Sequence, residues 1–245
     1  MRGHPLALIA LVGGLILASG GQGADPEEPL PQYPKAGAVI PGPFHVLNLN
    51  GERKGRYHCL VCKLTTMPVA GFLVRLKGEK DADDEGLKQL EPGQPLAKLL
   101  QQVDHILEKH PDGNMGGFVV FVGEKDGHVP IATRLFGNPD LKQEALVKEL
   151  GIKNLLFAYD DATEKGMSYK YFAGPDKEAK DKERGRLIPA DPFVKTLLYQ
   201  NYKLLHDVRD FNKDKPLTDK DVAAIVADVD KMQPPPVVNR KKYKP

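Results

Sequence analysis

Hydrophobic positions along this chain follow two rhythms, one of strands and one of helices. FHVLNLNGERKGRYHCL, residues 44–60, places β-formers on both sides of a polar Asn50–Gly55 stretch and predicts a β-hairpin. PVAGFLVRL (68–76), GGFVVFVGE (116–124) and IKNLLFAYDD (152–161) are short apolar runs of the buried-strand type. In PLAKLLQQVDHILEKH (95–110), Leu96, Leu99, Leu100, Val103, Ile106 and Leu107 recur at helical spacing. Pro95 suits the first turn of that helix, and Pro111-Asp112-Gly113 stops it. DLKQEALVKEL (140–150) predicts a second helix, closed by Gly151. KTLLYQNYKLLHDVRDF (195–211) reads as two strands around a tight turn at 200–202. A last helix, LTDKDVAAIVADVDKM (217–232), has Thr218 as N-cap and Asp221 as a capping-box variant. Val222, Ile225, Val226, Val229 and Met232 form its apolar stripe.

Strands separated by helices require parallel crossovers, and a terminal hairpin adds antiparallel edges. The expected fold class is therefore α/β, a mixed sheet with helices on both faces and an N-terminal hairpin, over residues 44–232. The flanks read differently. MRGHP followed by an apolar run from Leu6 to Gly20 and the small residues of ASGGQGA is the pattern of a secretory signal peptide, residues 1–24. That run falls short of the roughly 20 residues a spanning helix needs, so no membrane span is expected once the leader is removed. Residues 25–43 are proline-rich and read as an extended linker. GPDKEAKDKERGR (174–186) reads as a surface excursion, and residues 233–245, ending NRKKYKP, as a basic disordered tail.

Charge narrows the function classes. Lys and Arg number 35 against 33 Asp and Glu, a formal net charge of +2. Phosphate binding needs a concentrated basic face, so nucleic acid is not expected as a partner. No phosphate-cradling glycine loop, serine elbow or paired His-Glu motif is present. The acidic stretch Asp81, Asp83, Asp84, Glu85 lacks the alternation and central glycine of a calcium loop. His105 and His110, five apart, are poorly spaced for a shared ligand, and Asp160-Asp161 ends a strand, where function and ordinary turns both occur. No cofactor is expected.

The chemistry concentrates in GRYHCLVCKLTTMP (55–68), which holds both cysteines, Cys59 and Cys62. Three readings stay open for the pair. An exported chain oxidises adjacent cysteines, giving a structural staple whose short loop adds little chain-entropy stabilisation. A working dithiol needs a thiolate that is accessible and favoured, and Arg56, His58 and Lys63 lie close in sequence. A metal site needs further ligands, and His45 on the first hairpin strand could approach the cysteines, whereas His58 would face the other way.

PVAGFLVRL with its long helix, ELGIKNLLFAYDD, and TLLYQNYKLLHDVRDF with LTDKDVAAIVADVDKM together resemble a thioredoxin-like domain, nearest to the peroxiredoxin type. The resemblance implies a reactive cysteine after the first central strand, at the start of the long helix, and a proline, usually cis, before the penultimate strand. The chain departs from both. Residues 77–95 contain no cysteine, and Pro192 stands three residues ahead of the Lys195-Thr196 start of the apolar run. A peroxidatic mechanism therefore does not carry over. Two functions follow: a thiol–disulfide oxidoreductase acting on a protein dithiol or disulfide, with Cys59 as nucleophile, Cys62 as resolving thiol and His58 or Lys63 tuning them; or a non-catalytic binding or structural module in which the pair is a staple or part of a metal site.

Overall fold

Among the described residues, fourteen segments of regular structure follow one another: β1 (His45–Asn48), β2 (Tyr57–Cys59), α1 (Leu60–Lys63), β3 (Val69–Arg75), α2 (Asp84–Lys88), α3 (Pro95–Glu108), β4 (Gly116–Gly123), α4 (His128–Phe136), α5 (Leu146–Glu149), β5 (Leu156–Asp161), β6 (Phe193–Gln200), β7 (Lys203–Leu204), β8 (Asp210–Asn212) and α6 (Asp219–Asp230). They come from a computed structural model that describes residues 35–40, 43–64, 66–76, 84–110, 114–124, 126–138, 145–161 and 191–232. The leader, the charged 174–186 interval and the basic tail lie outside the described residues, as does the first part of the helix expected over 140–150.

The strands form one mixed sheet in the order β2-β1-β5-β4-β3-β6-β7, with β8 also pairing β6. β3, β4 and β5 are parallel, and β6 runs antiparallel to β3 along its whole length. The three central strands are apolar on both sides because both sides are covered. Ala70, Phe72, Val74, Val119, Phe121 and Phe157 face α2 to α6, whereas Val69, Leu73, Phe118, Val120 and Ala158 face α1 and the segment around Ile40 and Phe44. Helices thus cover the two faces unequally: among the described residues only α1 lies on the second.

Several local rules are visible. Thr218 and Asp221 complete the reciprocal capping box of α6, and the Thr218 hydroxyl holds the Asp221 carboxyl below its ordinary range. Asn201 and Tyr202 both have positive φ, as the two-residue turn between β6 and β7 demands. The strand expected after that turn is split in two. β7 pairs the end of β6 and β8 its beginning, and the chain bulges at 205–209 between them. Of the stretch expected to be linker, residues 36–40 instead dock on this edge. Val39 bridges to Lys203, the Ile40 N–H donates to the Tyr202 carbonyl, and Ile40 is buried. An apolar side chain with a nearby unpaired edge gains more by docking than by staying solvated.

Gly71, in the middle of β3, marks a close approach. A Cβ there would lie 2.6 Å from Phe118 Cζ. That ring is held between Phe44 and Tyr199, with centroids 6.3 and 6.5 Å away, so it cannot swing aside. Gly71→Ala is expected to destabilise the fold by about 2 kcal/mol, read as a lower urea midpoint; an unchanged midpoint would show that the ring can yield.

Candidate functional site

The two cysteines are joined in a disulfide between the end of β2 and the last turn of α1. β2 pairs with β1 in the register Tyr57–Leu47, His58–Val46 and Cys59–His45. The hairpin is pinned to the central sheet by Asn50, which accepts from the Phe157 N–H (2.7 Å) and donates to the Leu155 carbonyl (2.9 Å). Cys59 is still in strand conformation and caps α1, its sulfur accepting from the Cys62 N–H at 3.0 Å. A second N–H, that of Phe44, reaches the same sulfur at 3.3 Å. The helical turn of α1 then carries Cys62 outward: Cys59 is 3% exposed, while Cys62 is on the exposed side.

The nearby charges do not converge on the sulfurs. Lys63 Nζ lies 3.5 Å from Glu52 Oε2, Arg56 is exposed, and His58 is half-buried beside the pair. His45 is directly opposite Cys59 in register, as expected, but is exposed. Among the described residues no three His, Cys, Asp or Glu side chains converge on one point. His105 faces Glu108 one turn on, at 3.6 Å. Of the acidic stretch, residues 81 and 83 lie outside the described residues.

The other end of β3 is a separate place. Leu64, just after α1, packs over Gly116, which pairs with Val69 at the start of β3. Arg75, the last residue of β3, lines a cavity of about 500 Å³ together with Gln89, Gln94, Pro95, Pro192 and Phe193. A seven-residue strand spans about 20 Å, so Leu64 and this cavity stand a strand's length apart. Pro192 stands directly before β6, because that strand begins at Phe193, earlier than the apolar run implies. Its peptide is not cis.

The arrangement now complete is a β3–α3–β4 crossover beside an antiparallel β6–β8 pair and α6, with α3 and α6 packed together on one face. This is the α/β arrangement, a mixed sheet flanked by helices, that the resemblance to a thioredoxin-like domain implies. Its usual thiol position, between β3 and α3, carries no cysteine.

No family profile matches the chain, and no curated protein does. Among solved structures, peroxidoxin BcpB from Mycobacterium tuberculosis is similar with a TM-score of 0.43 and 13% identity, over 81% of this chain and 98% of that one. A putative protein disulfide isomerase from Bacteroides thetaiotaomicron gives 0.42 and 11%, over 81% and 89%. A yeast mitochondrial 1-Cys peroxiredoxin gives 0.42 and 12%, over 79% and 75%.

Sequence reasoning found the cysteine pair but not its asymmetry. It also passed over Asp104 and Lys195, two charged side chains that are 3% and 1% exposed. Asp104 carried a signal, since it lies four residues after Leu100 and three before Leu107, on the apolar stripe of α3.

Proposed function

We propose that this protein is an exported thioredoxin-like protein that exchanges disulfides with protein dithiols through Cys59 and Cys62. In this reading residues 1–24 are a leader, the chain after it works outside the cytoplasm, and residues 233–245 are a solvated tail. The observation that carries the reading is the formed disulfide with one of its two residues, Cys62, exposed. Exchange needs an accessible sulfur and a leaving thiolate that is favoured; the exposure of Cys62 and the two N–H groups at the Cys59 sulfur support the reading. Peroxide reduction is not part of it, because residues 77–95 offer no thiol beside α3.

Equilibration of the purified domain with glutathione redox buffers, read by thiol alkylation, tests this. A midpoint in the range of exchange proteins, above about −270 mV, is the expected result. The second reading, a structural staple, is favoured by the burial of Cys59 against Phe44, Leu60 and Val61. It requires a midpoint below about −300 mV, and because the closed loop is so short, removal of both sulfurs would cost at most about 2 kcal/mol of stability.

A further inference from the structure

The two sulfurs of the pair occupy opposite surroundings, and disulfide exchange is sensitive to that difference. An incoming thiolate attacks one sulfur along the S–S axis from its far side, and the other sulfur departs with the electron pair. Access decides which sulfur is attacked, and stabilisation of charge decides which departs well. Cys59 fails the first requirement: it lies in the apolar cluster formed with Phe44, Leu60 and Val61. The second is served by the Phe44 and Cys62 N–H groups, which both point at its sulfur, at 3.3 and 3.0 Å, and oppose the apolar burial that disfavours a thiolate. Hydrogen bonds from N–H donors favour the charged form of an acid. Cys62 has the reverse properties, being turned out on α1.

Resting on the exchange reading above, we infer that Cys62 is the sulfur that bonds to the partner and Cys59 is the internal, resolving sulfur. This reverses the order expected from the spacing, in which the first cysteine is the nucleophile. The structural cause is local. Cys59 ends a strand whose side chain is directed into the core, and the following helical turn rotates the second cysteine outward. A partner dithiol reacts in two balanced steps. Its first thiolate attacks Cys62 Sγ, a mixed disulfide forms there, the Cys59–Cys62 bond breaks, and the electron pair leaves on Cys59 Sγ. Its second thiolate then attacks the partner's own sulfur in the mixed disulfide. The partner disulfide forms and Cys62 departs as thiolate. The partner loses two electrons and the cysteine pair gains them; the two protons shed by the partner thiols end on Cys59 and Cys62.

The test uses the oxidised full domain mixed with reduced glutathione, quenched in acid after short times, and mapped by fragment mass spectrometry. Glutathione is expected on Cys62 at least tenfold over Cys59. A majority on Cys59 would overturn the assignment while leaving the exchange reading standing. A second measurement uses reduced single-thiol variants with oxidised glutathione. Cys59→Ser keeps an oxygen that can accept the same two N–H groups, and its Cys62 is expected to form the mixed disulfide at least tenfold faster than the Cys59 of Cys62→Ser. Equal rates or the reverse order would likewise overturn it. Absence of any glutathione exchange by the wild-type disulfide, by contrast, removes the exchange reading itself and this inference with it.

Discussion

Replacing Asp104 by alanine is expected to lower the stability of the domain by about 3 kcal/mol, measured by urea unfolding. The carboxylate is 3% exposed and projects from α3 onto the turn that feeds β5. One oxygen accepts from the backbone N–H groups of Asn154 (2.7 Å) and Leu155 (2.8 Å), and the other from the Lys153 N–H (2.9 Å) and the Asn154 side chain (3.1 Å). Three consecutive backbone donors thus depend on one side chain. Each buried donor left without a partner costs about 1–3 kcal/mol, and water reaching the exposed 153–154 turn offsets part of that sum. Asp104→Asn keeps one accepting oxygen but turns an NH₂ toward other donors, so its loss should be intermediate, about 2 kcal/mol. A loss below 1 kcal/mol for the alanine variant would show that the turn holds itself without the carboxylate.

The same residue shows where sequence patterns stop being informative. The apolar runs of β3, β4 and β5 and the stripes of α3 and α6 were legible because burial on both faces leaves an unbroken signal. The capping box of α6 was legible because its two residues act locally. Helix α4, HVPIATRLF, was missed. Its Val129, Pro130 and Ile131 read as helix-poor residues, yet the proline stands in the first turn, where its missing N–H is not needed, and Ile131 and Leu135 bury on one face. The split of the strand after Tyr202 was not legible either. Where the ladder on β6 is interrupted is set by the tertiary pairing of Thr196 with Arg209, whose backbone N–H and carbonyl engage the Thr196 hydroxyl and N–H.

At the candidate site the division is sharper. The cysteine spacing fixes that a small disulfide can close, but says nothing about which sulfur faces water. That depends on Cys59 remaining in β2 while Cys62 lies in α1, a strand-to-helix change within four residues. It depends also on Phe44, fifteen residues earlier, bringing its N–H to the Cys59 sulfur. Both are products of the hairpin register. Likewise the cavity at Arg75 and Pro192 joins the end of β3 to the start of β6, segments more than a hundred positions apart. Contacts of that range leave no local pattern.

Lys195 supplies the second large expected effect, with the opposite sign to Asp104. It sits in β6 between Leu73 of β3 and Asp210 of β8, and is 1% exposed. Its ammonium lies 5.2 Å from the Phe193 ring centroid and 3.9 Å from Asp210 Oδ1. Burial pulls its pKa from the ordinary 10.5 down to about 8, and the Asp210 charge only partly opposes this. Below pH 8 both folded and unfolded chains hold the proton, and the folded state bears the whole cost of a buried charge. Between pH 8 and 10.5 the unfolded chain holds more protons, so stability rises with pH. The total rise is about 3 kcal/mol. Lys195→Met keeps a flexible apolar stem against Phe193 and removes the charge. Asp210 is partly exposed, but the Oδ1 that faces the ammonium is buried, so removing the lysine charge costs part of what it gains. The variant is therefore expected to be more stable than wild type by about 1–2 kcal/mol at pH 7, and the gap should close and then reverse as pH climbs toward 10. Urea midpoints of both proteins at pH 7, 8.5 and 9.5 read this directly, because other titrating groups cancel in the difference. A gap that stays constant across that window, or a variant less stable at pH 7, would mean that the ammonium is a net stabilising partner of its neighbours, not a charge the fold carries at a cost.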